Sequence, residues 1–196
     1  MATVNAVPLL GPADPLPHRP RRVLVAGTSG AGKTTVAARI ATVLEVPHVE
    51  IDALFHGPGW TPRPSFVADV HRFAAQSTWV TEWQYAPVRA HLADRADLLV
   101  WLDLPRTRVM RQVIRRTLFR RLRREVLWHG NLEPPFRTIL SDPEHIVRWA
   151  WSTHHQTSTR VTDLLRERPD LTVVRLRSRA EVSRWLTGAL RRRALA

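Results

Sequence analysis

The chain has 196 residues, 44% of them hydrophobic and 24% charged, the make-up of one folded domain with a sizeable core. The absence of cysteine excludes a disulfide framework, a zinc–thiolate centre and a thiol nucleophile. Thirty basic residues against seventeen acidic ones give a net charge of +13, which implies anionic partners, and only one of the thirty, Lys33, is a lysine.

Residues 1–20 carry five prolines and read as a disordered leader. They lack the basic-then-apolar order of a signal peptide, and no apolar run approaches the roughly 18–20 residues of a membrane span. A cytoplasmic protein is expected, with residues 21–196 as one domain. Its first strand is Arg22–Ala26, short and β-branched.

Gly27-Thr28-Ser29-Gly30-Ala31-Gly32-Lys33-Thr34 then matches the phosphate-binding pattern G-x-x-x-x-G-K-[ST] at every fixed position. After it, Val36, Ile40 and Leu44 recur at helical spacing, with no breaker before Pro47. Strand, glycine loop and helix together aim backbone N–H groups and a helix N-terminus at a phosphate. Gly27, Ser29, Gly30, Ala31, Gly32 and Thr35 are therefore expected to line a nucleotide, ATP, with Lys33 on its terminal phosphates and Thr34 on Mg²⁺. A compact ammonium fits this loop where a planar guanidinium does not, which explains the lone lysine.

Further strands are expected at His48–Ile51, Thr78–Glu82, Leu98–Leu102 and Leu171–Leu176. Helices are expected over Ser65–Gln76, after Pro105, over Pro143–Arg168 and over Arg179–Leu190. In the helix after Pro105, Met110, Ile114, Leu118, Leu122 and Val126 form its apolar stripe. The alternation implies an α/β fold, a five-stranded parallel sheet with helices on both faces and ligands at the strands' carboxyl ends. A guanine-reading N/T-K-x-D motif would need a second lysine, so a GTPase is excluded.

The phosphate loop, Asp52-Ala53-Leu54-Phe55, Gly59-Trp60, Trp79-Val80-Thr81-Glu82, Leu102-Asp103-Leu104-Pro105, the arginine-rich helix and Leu127–Glu133 together resemble the adenylate-kinase-like P-loop kinases. The match is closest to the bacterial branch labelled DNA topology modulation protein. Where that branch shows Asp-Gly-Asn-Tyr after the third strand, this chain has Glu82-Trp83-Gln84-Tyr85. The resemblance implies ATP- and Mg²⁺-dependent transfer to a small acceptor, foremost a nucleoside monophosphate. It places Asp52 on the acceptor; a turn-forming or capping role is the alternative. Glu82 falls beside the phosphate-loop strand, as a holder of Mg²⁺-bound water and a wall of the acceptor pocket. Asp103 falls on the other flank, capping the helix after Pro105.

Between Arg106 and Arg124 stand nine arginines and no acid. As a lid over about 106–140, this stretch would bring Arg111, Arg115 and Arg120 to the transferring phosphoryl group. A nucleic-acid-binding regulator using ATP as a conformational signal is the rival reading, and a solvated helix face accounts for many of the arginines individually. Gly130-Asn131 suits a lid hinge or a helix cap. Arg63 and Arg89 fall in segments lining an acceptor pocket, and Arg177 follows the last strand, where adenine would pack. Trp60, Trp83 and Trp128 sit in loops able to stack on an acceptor ring. His154 and His155 lack metal-ligand spacing with a third residue.

Overall fold

A computed structural model describes residues 9–122, 128–131, 151 and 154–195, without the side chains of Arg120, Arg121 and His154. Strand β1 (Arg22–Gly27) runs into the glycine loop and helix α1 (Lys33–Leu44). Then come β2 (His48–Val49), the short α2 (Ile51–Phe55), a turn at Pro58–Trp60, α3 (Phe66–Ala74) and β3 (Trp79–Glu82). Next are α4 (Ala86–Arg95), β4 (Leu98–Leu102), α5 (Arg106–Leu122) and a turn at Trp128–Gly130. The chain closes with α6 (His154–Glu167), β5 (Thr172–Leu176), α7 (Arg179–Trp185), one π turn at Leu186–Leu190 and α8 (Arg191–Ala194).

All five strands are parallel, in the order β2-β3-β1-β4-β5. The expected α/β sheet is therefore present, with β1 flanked by β3 and β4. Alternate strand residues feed two cores, as a sheet covered on both faces requires. Val23, Val25, Val100, Leu102 and Val174 pack with α1, α5 and α7 on one face. Leu24, Ala26, Leu99, Trp101 and Val173 pack with α3, α4 and α6 on the other. Because β1 sits centrally, its carboxyl end has helices of both layers around it.

Two expectations need correction. Residues 9–20 are not a free leader: the Leu10 N–H donates to Val173 O at 2.8 Å, and Leu10 O accepts from the Arg175 N–H at 2.8 Å. This short parallel bridge covers the exposed edge of β5. Leu16 is 5% exposed in the α1/α7 core, so its burial offsets the ordering of a proline-stiffened segment.

Helix α5 is also turned differently. Val109, Val113 and Thr117 face inward, whereas Ile114, Leu118 and Leu122 of the predicted stripe are exposed. The inward side must fit against loop backbone, which selects small β-branched residues over leucines. Of the expected lid, 123–127 and 132–140 lie outside the described residues, as does most of the Pro143 helix before His154.

Leu16→Ala is expected to cost about 2–4 kcal/mol. Urea unfolding of the full chain checks this: a lower midpoint at unchanged slope places residue 16 in the core, and an unchanged midpoint returns it to a leader.

Candidate active site

The glycine loop closes a tight turn in which the Ala31 N–H donates to Thr28 O at 3.0 Å. Ala31 thus spends its N–H inside the loop instead of offering it outward, contrary to expectation. Gly30 and Gly32 have φ of 83° and 91°, the left-handed region that glycine enters without strain. A Cβ on Gly30 would collide with Val113 Cγ2, so glycine is also what lets α5 lie against the loop.

The first helical bond of α1 runs from the Val36 N–H to Gly32 O at 3.0 Å, and no side chain caps the helix. The N–H groups of Lys33, Thr34 and Thr35 therefore have no intrahelical acceptor and converge at the loop. Lys33 Nζ lies 3.5 Å from Thr28 O. Burial pushes its ammonium below the usual lysine range, Asp52 and Glu82 pull it back up, and Arg116 pushes it down again. The charges of two carboxylates and one guanidinium thus reach Lys33.

That guanidinium belongs to α5, although not at the residues singled out from the sequence. Arg111 and Arg115 point to solvent, and the charge felt at Lys33 is that of half-buried Arg116. The side chain of Arg120 lies outside the described residues. The signal that could have found Arg116 is its spacing from Val109 and Val113, which puts it beside the inward face.

Asp52, in the first turn of α2, is the best-defined acid. Its Oδ1 accepts hydrogen bonds from Gln84 Nε2 and from the Tyr85 hydroxyl, the latter at 2.6 Å. Its Oδ2 has no partner among the described residues. Tyr85 is itself held by stacking on Phe55 at 3.9 Å and by His56 Nε2 at 3.2 Å. Burial, then the Asp52 charge, drives its phenol well above the tyrosine range, so it stays a donor. Burial also lowers His56, against the pull of Asp52, which leaves the ring neutral at neutral pH. The Glu82-Trp83-Gln84-Tyr85 stretch thus supplies both donors that orient Asp52.

Glu82 does something else. It is 1% exposed, with Oε1 3.2 Å from His48 Nε2 and Oε2 accepting from the Ile51 N–H at 3.0 Å. Burial alone would raise this carboxyl, but the His48 and Ile51 hydrogen bonds hold it below the ordinary range. With both oxygens engaged it braces β2 and α2 against β3, and it does not fit the expected role of holding metal-bound water or acceptor. Among the described residues no three His, Asp or Glu side chains converge on a metal position.

The remaining candidates are spread out. Arg63 is committed to Asp69 at 3.3 Å and Ser65 at 3.3 Å. Arg89 is half-buried, and the charge it feels is Arg160 on α6. The exposed Arg177 gives its N–H to Glu181 Oε2 at 2.8 Å, within the cap of α7. Asp103 is paired across the sheet: its Oδ2 accepts from Arg175 Nε at 2.8 Å and Nη2 at 2.5 Å, tying β4 to β5, and among the described residues no bond from it to the start of α5 is seen. This pair walls a cavity of about 290 Å³ that also touches Thr28, Trp101 and Ser158.

Two turns face each other beyond Asp52. Asn131, 6% exposed, locks them together: its Nδ2 donates to Gly57 O at 2.9 Å and its Oδ1 accepts from the Trp60 N–H at 3.2 Å. Instead of hinging, it clamps. Trp60 and His129 have φ of 61° and 55°, and Tyr85 has 63°. Bulky residues avoid that region unless surroundings enforce it, and such strain gathers at functional sites. Trp128 donates from Nε1 to Glu50 Oε2 at 3.1 Å.

No protein-family model matches the chain. Among solved structures it is similar to a gluconokinase from Sinorhizobium meliloti, at 22% identity over 91% of this chain and 95% of that one, with a TM-score of 0.46. It is likewise similar to a shikimate kinase from Acinetobacter baumannii in complex with shikimate, at 16% identity over 89% of each chain and a TM-score of 0.48. A sugar kinase from a Janibacter species matches at 20% identity over 96% of this chain and 99% of that one, with a TM-score of 0.45.

Glu82 sets a pH dependence. A carboxyl with a lowered folded pKa stabilises the fold fully above its ordinary value of 4.5, and that contribution is lost as pH falls through the folded value. Glu82→Gln should therefore be less stable than wild type at pH 7, and the gap should close below about pH 4. Urea unfolding from pH 7 to pH 3 checks it; a gap independent of pH would remove the ionised brace.

Proposed function

We propose that the chain is an ATP-dependent kinase that moves the γ-phosphoryl group of ATP to a hydroxyl of a small acceptor. One observation carries the reading. Asp52 has both internal donors on Oδ1 and, among the described residues, keeps Oδ2 available, at the same carboxyl end of the sheet as Lys33, which its charge reaches. Such a carboxylate is preset to take a hydrogen bond from an attacking hydroxyl.

The loop cradles the ATP phosphates with the N–H groups at the start of α1, and Lys33 lies along the terminal ones. Arg116 faces the charge that spreads over the transferring group. Mg²⁺ travelling with the nucleotide would neutralise phosphate charge, and the Thr34 hydroxyl, half-buried in the first turn of α1, is the chain's own ligand for it. In the transfer, the acceptor O–H proton passes to Asp52 Oδ2 and the acceptor oxygen bonds to the γ-phosphorus. The bond from that phosphorus to the bridging oxygen breaks, and ADP leaves. The base end of the nucleotide falls toward Arg177, where the Arg179 Nη2–Gln112 Oε1 bond of 2.9 Å joins α7 to α5.

A nucleoside monophosphate, the acceptor suggested by the sequence, would need a guanidinium for its phosphate. Arg63 is committed to Asp69, so the acceptor is better written as a hydroxyl compound without a phosphate.

Lys33→Met should lower acceptor-stimulated ADP release by about 10³-fold or more with the fold intact, since it deletes a charge and no core contact. Asp52→Asn should retain ATP affinity within about twofold while transfer drops by about 10²–10⁴. Steady-state kinetics beside nucleotide titration check both. Full turnover in Lys33→Met would overturn the site, and joint loss of ATP binding and transfer in Asp52→Asn would make Asp52 structural.

A further inference from the structure

The acceptor side of the site differs in chemistry from the rest of this basic chain. His56 stands edge-on to Trp60 at 5.0 Å and nearly parallel to Trp128 at 5.9 Å, and the two tryptophans meet at 6.3 Å and 82°. The same His56 bonds the Tyr85 hydroxyl that holds Asp52, so these rings border the catalytic carboxylate. Both tryptophans are half-buried and keep accessible surface. Neither turn is free to drift, because the Asn131 clamp and the Trp128–Glu50 bond fix them.

Among the described residues the carboxylates dominate here. Glu50 uses Oε2 for Trp128, and its Oε1 has no partner among the described residues. Asp52 keeps Oδ2, while Arg63 is spoken for by Asp69 and His56 is neutral. Arg89, on α4, feels the charge of Arg160 on α6.

We infer, resting on the phosphotransfer proposed above, that the acceptor is an amine-bearing hydroxyl compound: an amino alcohol, amino sugar or aminocyclitol whose ammonium is held against the Trp60–Trp128 ring pair beside Glu50 while its hydroxyl meets Asp52. A cation over an indole face is drawn by the ring quadrupole, and a carboxylate beside it adds a charge-assisted hydrogen bond. A neutral polyol would stack on the rings and gain nothing from Glu50. A carboxylate would meet like charge from Glu50 and Asp52.

The test uses the full chain and three matched sets: ethanolamine, ethylene glycol and glycolate; glucosamine, glucose and gluconate; deoxystreptamine, inositol and shikimate. Calorimetric titration without ATP is expected to find an amine member binding at least about tenfold tighter than both of its counterparts. Glu50→Gln, whose amide oxygen can still accept from Trp128, should remove most of that gap. Trp128→Phe, which keeps a ring but loses the bond to Glu50, should weaken the amine several-fold more than the neutral partner. The inference is overturned if no amine member binds, if a neutral or carboxylate member binds as tightly, or if Glu50→Gln leaves the gap unchanged. ADP release on the same sets separates the two readings. Amine binding without transfer upholds the ligand class and sinks the kinase, whereas transfer to a carboxylate member does the reverse.

Discussion

The Glu82 carboxylate holds the site's geometry. Standing at the end of β3 and almost wholly buried, it takes the Ile51 N–H on one oxygen and His48 on the other. An ionised group so deep is tolerable only if each oxygen is paired. That requirement fixes where β2 ends, how α2 starts and hence where the next residue, Asp52, is aimed. An acid at the end of β3 thereby acts as a spacer for the acid proposed to meet the acceptor. The division of labour follows from pairing: Glu82 has both oxygens engaged, and Asp52 has one free.

Helix α5 supplies the complementary constraint on the phosphate side. Its approach is set at Gly30, where any side chain would strike Val113. Once the helix lies that close, its turns sort its arginines by geometry alone. Half-buried Arg116 sends its charge to Lys33, and Arg108, Arg111 and Arg115 face solvent. Among the described arginines of α5, the run thus separates into Arg116, whose charge reaches the loop, Arg106, which bonds Trp151 O, and Arg108, Arg111 and Arg115, which face solvent and attract anions.

How far the sequence could be read follows the same distinction between local and non-local causes. The phosphate loop, the five strands and the strand-end position of Glu82 were legible because they rest on short-range patterns of glycine spacing and apolar runs, whereas β2 stops at Val49 and Asp52 falls in the first turn of α2 instead of at a strand end. The facing of α5 was not, since Ile114 and Leu118 make a good helical stripe and only the packing against Gly30 selects Val109 and Val113 instead. Nor was the commitment of Arg63 to Asp69 or of Asp103 to Arg175, because an ion pair between distant strands leaves no periodic trace. Leu10 and Leu16 were hidden for a different reason. A proline-rich composition signals stiffness as well as disorder, and a stiff segment loses little entropy when two leucines find a sheet edge and a core. The Glu82–Tyr85 stretch looked like a damaged motif and proved to carry the two donors on Asp52.

The distribution of charge then bears on selectivity. With +13 overall, the long-range field draws any anion toward the molecule, nucleotide and carboxylate acceptors alike. Attraction of that kind cannot discriminate between them. Selection at the acceptor end must be local, and there the chain sets Glu50, Asp52 and three polar-edged rings in place of the arginine it uses almost everywhere else. A pocket of opposite sign to its protein rejects the ligands the surface gathers, at the cost of slower capture of the one it accepts. In the proposed reaction, phosphate ends are thereby directed to the loop with Lys33 and Arg116, and the hydroxyl end to Asp52. A bound nucleotide then has no electrostatic reason to turn around.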